Sequence, residues 1–219
     1  RRLTATGSIT ARRWKAARLI CALALLAVAQ ARPQFGTRVE TVQSRGQDII
    51  VAVDLSPSML AEDVAPNRLE RARLAILRLI GNLDGDRIGL VAFAGDAFVQ
   101  SPLTVDYSAA GMFLGAMHPE LMPVQGTDLG AALRVSLDAL EQGAREARVI
   151  VLVTDGEHLE EDFEAELERA VESGVQVHVV GIGSPEGVPI PEYDEQGQRT
   201  GFLRDEEGGV VTTRRDEET

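Results

Sequence analysis

The sequence predicts an α/β domain with a doubly wound, mainly parallel sheet, one antiparallel edge strand and helices on both faces, preceded by a membrane helix. Three observations lead to this prediction. Short apolar runs alternate with stretches of helical periodicity, acidic and hydroxyl residues follow the ends of several apolar runs, and a basic head with an apolar segment comes first. The 219 residues are 44% hydrophobic and 26% charged, enough for one domain with a full core.

The first 45 residues form a basic head that differs from the rest of the chain. They hold nine Arg or Lys and one Glu, a net charge of +8, whereas residues 46–219 hold 13 Arg and 33 acidic residues, a net charge of −20. An acidic body argues against nucleic acid and against anionic membrane surfaces as partners of the domain. The single cysteine, Cys21, excludes an internal disulfide.

Within this head, residues 19–29 (LICALALLAVA) form an uninterrupted apolar run. As a helix the run spans about 16 Å of the roughly 30 Å hydrocarbon core of a membrane. Extending it from Trp14 to Phe35 gives aromatic ends, so we predict a transmembrane helix. A signal peptide cleaved after the A-x-A site 29–31 and a buried helix are the alternatives. If the segment is a transmembrane helix or a signal peptide, the domain lies outside the cytoplasm. In a bacterium, that location is the periplasm.

The alternating pattern begins at residue 48. Apolar runs predict strands at 48–55, 87–94, 97–101, 148–154 and 175–183, and amphipathic stretches predict helices at 68–83, 107–117, 129–142 and 160–173. Asn67 and Glu70 resemble a capping box before the first of these helices. Only a Gly95-Asp96 turn separates the second and third runs, so they predict an antiparallel hairpin.

The chain therefore divides into predicted segments with different roles. After residue 184, prolines and glycines break up an acidic stretch that we interpret as an extended loop or small hairpin. Because the chain lacks an initiator Met, we interpret it as an excerpt of a longer protein. The predicted segments are a basic juxtamembrane segment 1–15, a transmembrane helix 16–35, a linker 36–47, a domain core 48–184 and an acidic loop or hairpin 185–219.

Three polar loops sit where a metal site could form. They are Asp54-Leu55-Ser56-Pro57-Ser58, Gly126-Thr127-Asp128 and Thr154-Asp155-Gly156-Glu157. Because ligands gather beyond the carboxyl ends of strands in doubly wound sheets, we expect these loops to meet at one edge. Carboxylate and hydroxyl oxygens are the ligands that Mg²⁺ prefers. We also expect Thr127 to be the N-cap of the helix that starts at residue 129.

This order of D-x-S-x-S, G-T-D and T-D-G resembles the von Willebrand factor A domain with its metal-ion-dependent adhesion site. More narrowly, residues 54–70 (DLSPSMLAEDVAPNRLE), 85–100 (GDRIGLVAFAGDAFVQ) and 181–191 resemble the membrane-anchored aerotolerance-operon (Bat) proteins. The resemblance covers roughly residues 33–219. Since we interpret the chain as an excerpt, we expect the last strand and helix and the second membrane span of that family to lie outside it.

The resemblance implies a Rossmann-like fold and a Mg²⁺ site, with Mn²⁺ or Ca²⁺ as alternative ions. It implies that Ser56, Ser58 and Thr127 bind the ion through hydroxyls, that Asp54 and Asp155 act directly or through water, and that an open position takes a carboxylate from a partner protein. It also implies a bacterial inner-membrane location with the domain in the periplasm, within an envelope complex linked to aerotolerance or stress. Other von Willebrand factor A, tetratricopeptide or AAA-type proteins would be the partners.

We therefore predict a non-enzymatic, metal-dependent protein-binding module. The alternative is a Mg²⁺-dependent phosphohydrolase with Asp54 as its nucleophile, but Ser56 stands where that chemistry needs a second acid. A hydrolase triad of Ser56, His158 and Asp155 lacks the G-x-S-x-G elbow.

The remaining motifs favour structural roles. Gly181-x-Gly183 follows a strand but lacks the third glycine and the P-loop lysine of a nucleotide site. We interpret His118 and His178 as structural. His158, beside the Asp155 loop, is interpreted as a solvated loop residue, with a position facing the site as the alternative. Asp63 either borders the metal site or holds a turn.

Overall fold

A computed structural model describes residues 9–30, 46–143, 145, 147–156, 162–194, 198–205 and 207–214. The chain divides into two units, residues 1–43 and residues 44–219. In the described part of the first unit there is one helix, α1 (Ile9–Gln30). All the other elements belong to the second unit.

The transmembrane helix predicted at 16–35 is not supported. In the described part of the chain, no helix combines the length and the apolar character that crossing a bilayer requires. The reason lies in the sequence of α1, where four basic residues between positions 12 and 18 leave only the short run 19–29 uncharged and apolar. Residues 31–35 of the predicted span lie outside the described residues.

A five-stranded sheet forms the centre of the second unit. Its strands are β1 (Asp48–Asp54), β2 (Arg87–Phe93), β3 (Ala97–Thr104), β4 (Arg148–Thr154) and β5 (Gln176–Gly181). The strand order is β3-β2-β1-β4-β5. All neighbouring pairs are parallel except β2 and β3, which confirms the prediction of a mainly parallel sheet with one antiparallel edge strand.

Helices cover both faces of this sheet. They are α2 (Arg68–Gly81), α3 (Tyr107–Gly115), α4 (Leu129–Glu141) and α5 (Asp162–Glu172). Side chains alternate along β1, so Val51 packs into one core with Leu69 of α2, whereas Ile50 packs into the other core with Leu133 of α4. The prediction of helices on both faces is therefore confirmed.

The N-caps of two helices fix the loops that precede them. Asn67 Oδ1 accepts a hydrogen bond from Glu70 N over 2.8 Å, as the capping-box pattern predicted. The prediction that Thr127 caps α4 was wrong, because the cap is Asp128, whose carboxylate accepts from Ala131 N over 2.7 Å. The Thr127 hydroxyl is therefore not used for capping.

Beyond β5, the described residues between 188 and 213 form a small substructure that we call the insert. Its strands are β6 (Val188–Pro189), β7 (Pro191–Tyr193), β8 (Arg199–Phe202) and β9 (Thr212–Thr213). β6 pairs with β9 and β7 pairs with β8, both antiparallel. Backbone hydrogen bonds from Leu203 N to Ile190 O and from Val211 N to Leu203 O, each of 2.9 Å, connect the two pairs.

Candidate metal-binding site

Asp54, the last residue of β1, connects the ends of two neighbouring strands. Its Oδ1 accepts from Ser56 N over 2.8 Å, and its Oδ2 accepts from the Thr154 hydroxyl over 2.7 Å. The Thr154 oxygen accepts in turn from Gly156 N over 3.1 Å. Asp54 is fully buried. The carboxylate therefore has a fixed position at the carboxyl edge of the sheet.

The two serines of the first loop lie side by side. The Ser56 and Ser58 hydroxyl oxygens are 2.9 Å apart, and both residues are buried. A short 3-10 helix (Pro57–Leu60) begins directly after Ser56. Proline at its first position favours this turn because its ring fixes φ near the helical value. The turn brings both hydroxyls to the same place, next to Asp54.

Two consecutive carbonyl groups bring Thr127 to the same edge. Phe93 O, at the end of β2, accepts from Leu55 N over 2.7 Å, and Ala94 O accepts from Asp128 N over 2.6 Å. Leu55, which follows Asp54, and Asp128, which follows Thr127, are thus hydrogen-bonded to the carbonyl groups of adjacent residues. Thr127 itself is buried. The loops of Asp54 and Thr127 therefore meet, as the sequence predicted.

Asp155, in the loop after β4, is the second buried carboxylate of the site. Burial and, to a smaller extent, the negative charge of Asp155 raise the pKa of Asp54 to about 7. Hydrogen bonds from Ser56 and Thr154 act in the opposite direction and only partly offset this rise. The Asp54 and Asp155 carboxyl groups are thus both buried away from water. Because a buried negative charge is costly, this arrangement favours a nearby cation.

Arg68, the first residue of α2, supplies one positive charge to this region and was not predicted. Its side chain is fully buried, and its Nη1 donates to Asp155 Oδ2 over 2.7 Å and to the Thr213 hydroxyl over 2.9 Å. Its Nε and Nη2 each donate to Asp63 over 2.9 Å. Partial burial acts to raise the pKa of Asp63, but the bonds from Arg68 and from Ser184 N outweigh it and lower that pKa.

Nothing in the sequence distinguished Arg68 from an exposed arginine on the surface of a helix. It follows the N-cap Asn67 at the start of an amphipathic helix, where a solvated arginine is ordinary. Asp63 is linked to Asp155 through the side chain of Arg68, and it also accepts a backbone hydrogen bond from Ser184 N. Thr154 was within a loop that the sequence singled out, but its bond to Asp54 was not foreseen.

The donor atoms fit a hard divalent cation. In the described residues no group of three or more His, Cys, Asp or Glu side chains is placed to hold a metal, so a metal at this edge would have to use hydroxyls as well. Carboxylate and hydroxyl oxygens in a buried, net negative setting suit Mg²⁺, Mn²⁺ or Ca²⁺. The residues that would hold it are Asp54, Ser56, Ser58, Thr127 and Asp155.

The other residues that the sequence singled out have different positions. His118 precedes a 3-10 helix (Pro119–Leu121), and its Nδ1 accepts a long bond of 3.5 Å from Glu120 N. His178 is an exposed residue of β5. Gly183 packs against the guanidinium of Arg68. His158, and with it the proposed hydrolase triad, lies outside the described residues.

Comparison with known proteins identifies one family. The family model for the von Willebrand factor type A domain matches residues 49–158. An uncharacterized protein of Borreliella burgdorferi is 32% identical over 174 residues, which is 77% of this chain and 50% of that protein. The chain spans 50 to 59% of the length of this and two further curated relatives.

Two solved structures are more similar in sequence. The conserved hypothetical protein BatB from Bacteroides thetaiotaomicron is 43% identical, with a TM-score of 0.72 over 79% of this chain and 82% of that chain. An aerotolerance-related membrane protein from Bacteroides fragilis is 42% identical, with a TM-score of 0.72 over 79% of this chain and 84% of that chain. Both alignments include most of the second unit.

Proposed function

Because this chain belongs to the von Willebrand factor type A domain family, we propose that it is a divalent-metal-dependent protein-binding module. One observation supports this proposal above all. Asp54 and Asp155 are both fully buried at the edge of the sheet, and Asp54 lies next to the hydroxyl pair of Ser56 and Ser58. Such a donor set combines two carboxylates with neutral hydroxyl oxygens, and these hard ligands suit a divalent ion that recruits a further ligand.

The residues around the site explain why a partner would complete it. A bound Mg²⁺ would attract an incoming carboxylate as its last ligand. Ser56, Ser58 and Thr127 contribute oxygens without charge, and Asp155 already shares its charge with Arg68. The residues would therefore leave much of the positive charge of the ion uncompensated, so an acidic side chain of another protein would bind there.

Calorimetry of the full chain tests this proposal. After removal of metal with a chelator, Mg²⁺ and Mn²⁺ should bind to the wild type, and Asp54→Ala should abolish that binding without unfolding the domain. Asp84→Ala is the matched control, since Asp84 is an exposed acidic residue in a turn on a different loop. Equal metal affinity in the wild type and in Asp54→Ala, with both folded by circular dichroism, would overturn the proposal.

We also propose that the protein acts at the bacterial envelope, with its acidic domain in the periplasm and in a complex linked to aerotolerance. The support is the 42% identical B. fragilis protein, which is described as an aerotolerance-related membrane protein, and the basic residues that precede the apolar run. Fractionation of cells, with protease added to spheroplasts, tests this location. Recovery of the intact domain in the cytosolic fraction would contradict it.

A further inference from the structure

A cleft of about 630 Å³ lies on the second unit. Its walls come from the 3-10 helix Pro57–Leu60, from the segment 118–125 and from the insert. We call this feature the cleft. Its volume is within the range of pockets that bind small ligands.

Two residues that line the cleft are close in sequence to predicted metal ligands. Pro57, which lines the cleft, stands between the two predicted ligands Ser56 and Ser58. Gln125, on another wall, is two residues before Thr127. Since consecutive Cα atoms are about 3.8 Å apart, these lining residues are within about 8 Å of predicted ligands. The cleft is therefore close enough to the candidate metal site for one bound segment to reach both.

The wall that the insert contributes is anchored to the site. Thr213 accepts from Arg68 Nη1 over 2.9 Å, and the Tyr193 hydroxyl donates to Glu62 Oε1 over 2.7 Å. Ser184 N, just before the insert, donates to Asp63 Oδ2 over 2.5 Å. These bonds join the insert to the loop after β1 and to the start of α2. The cleft is therefore formed by tethered elements, and little reorganisation is needed before a ligand enters.

The lining of the cleft combines an apolar floor with an acidic rim. Ile190 and Pro191 are buried, and Leu203 is half-buried. The acidic residues that line the cleft are Glu120, Glu192 and Asp194. Among the described residues of the lining there is no Lys or Arg. An apolar side chain fits the floor, and a cation is attracted by the rim, whereas a second acidic group is repelled.

We propose that the cleft binds the partner segment next to the metal-coordinating carboxylate, and that this segment carries an apolar side chain followed or preceded by Lys or Arg. This inference rests on the proposed metal-dependent function and specifies the chemistry of the partner. The segment would place its acidic residue at the metal, its apolar residue on Ile190 and its basic residue near Glu120 and Glu192.

Selection of peptides by the full chain tests this inference. A phage-displayed library of random peptides is panned on the protein in Mg²⁺ and eluted with EDTA. Enriched peptides should combine an acidic residue with a nearby apolar residue and a Lys or Arg. The double variant Glu120→Lys/Glu192→Lys should bind the synthesised peptide about tenfold more weakly and with less dependence on salt, while its affinity for Mn²⁺ stays that of the wild type.

The control and the other outcomes separate this inference from the proposed function. The double variant Glu186→Lys/Glu207→Lys makes the same charge change at two exposed residues outside the cleft, and it should leave peptide binding unchanged. EDTA-sensitive peptides that lack basic residues, or that bind the double variant as well as the wild type, overturn the role of the cleft and leave the metal-dependent function standing. Peptides that stay bound in EDTA, are recovered only by a later elution at low pH and need the acidic rim overturn the metal-dependent function instead. If no peptide is enriched, both are overturned.

Discussion

Arg68 Nη1 donates to Asp155 Oδ2 over 2.7 Å, and both side chains are fully buried. The same guanidinium pairs with Asp63. One arginine therefore forms ion pairs with an acidic residue of the loop after β1 and with one of the loop after β4. A buried ion pair is costly to break, because the group left behind is a charge without a partner in a dry interior. The candidate metal site is therefore tied to the first turn of α2, and through Thr213 to the insert.

Replacing this arginine should destabilise the domain strongly. Arg68→Met keeps most of the apolar volume but removes the guanidinium that pairs with Asp63 and Asp155. We expect the free energy of unfolding to fall by about 3–5 kcal/mol, measured by urea denaturation monitored by circular dichroism. Arg71→Met is the matched control, since Arg71 is an exposed residue of the same helix and should change the stability by about 0.5 kcal/mol or less. Similar losses in the two variants would show that Arg68 has no special role.

Thr213 should control the stability of the insert. Thr213→Val keeps the shape of the side chain and removes the hydroxyl that accepts from Arg68. Hydrogen exchange of the Leu203 and Val211 amides, which hold the insert together, should become faster because local opening becomes easier by about 1 kcal/mol.

The neighbouring residue provides the control for this change. Thr212→Val alters an exposed side chain on the same short strand and should leave the exchange of those amides close to that of the wild type. Equal protection of the Leu203 amide in Thr213→Val and in the wild type would mean that the bond to Arg68 does not hold the insert.

The sheet could be predicted because burial and periodicity are local properties of the sequence. The edge strand shows where this local information fails. The sequence predicted a strand at 97–101, whereas β3 continues to Thr104. Pro102 ends the apparent pattern, but a proline is tolerated on an edge strand, where its missing N–H can face solvent. At the other edge the predicted strand 175–183 was too long, since β5 ends at Gly181.

The site was only partly predictable for a different reason. The loops of Asp54 and Thr127 could be expected to meet, because the ends of parallel strands share one edge. Arg68 and Thr213 are 145 residues apart in sequence, and no periodic pattern relates them. Their contact, the anchoring of the insert and the cleft all depend on how the chain returns after β5. A single sequence contains no signal for such a long-range arrangement.

Gly183 should not tolerate a side chain. Its φ of +137° is rarely adopted by other residues, and a Cβ there would come within 2.9 Å of Arg68 Nε. Gly183→Ala should lower the free energy of unfolding by about 1–3 kcal/mol in urea denaturation. Gly187→Ala is the control, since a Cβ at Gly187 meets no atom within 4 Å among the described residues. A loss of stability no larger than that of the control would contradict the close approach to Arg68.

The stability of the metal-free protein should fall as the pH rises, because of Asp54. Its pKa is raised from 3.8 to about 7 in the folded state, by burial first and by Asp155 second. Between these values the folded state binds more protons than the unfolded state, so the contribution of this carboxyl is fully present below 3.8 and is lost as the pH rises through about 7. The measurement is urea denaturation in EDTA at about pH 5 and at about pH 8. Between these two pH values, the free energy of unfolding should fall by a few kcal/mol more in the wild type than in Asp54→Asn.

A bound cation should reverse this effect, which links the pH dependence to the candidate metal site. At about pH 8, Mg²⁺ should raise the stability of the wild type, because binding to the folded state alone stabilises it, and should not raise that of Asp54→Asn. Asp84→Asn, at an exposed turn, should behave as the wild type in both measurements. If Asp54→Asn kept the full pH dependence seen in EDTA, the carboxyl of Asp54 would not be the group that titrates. If Mg²⁺ stabilised Asp54→Asn as much as the wild type, the ion would bind elsewhere.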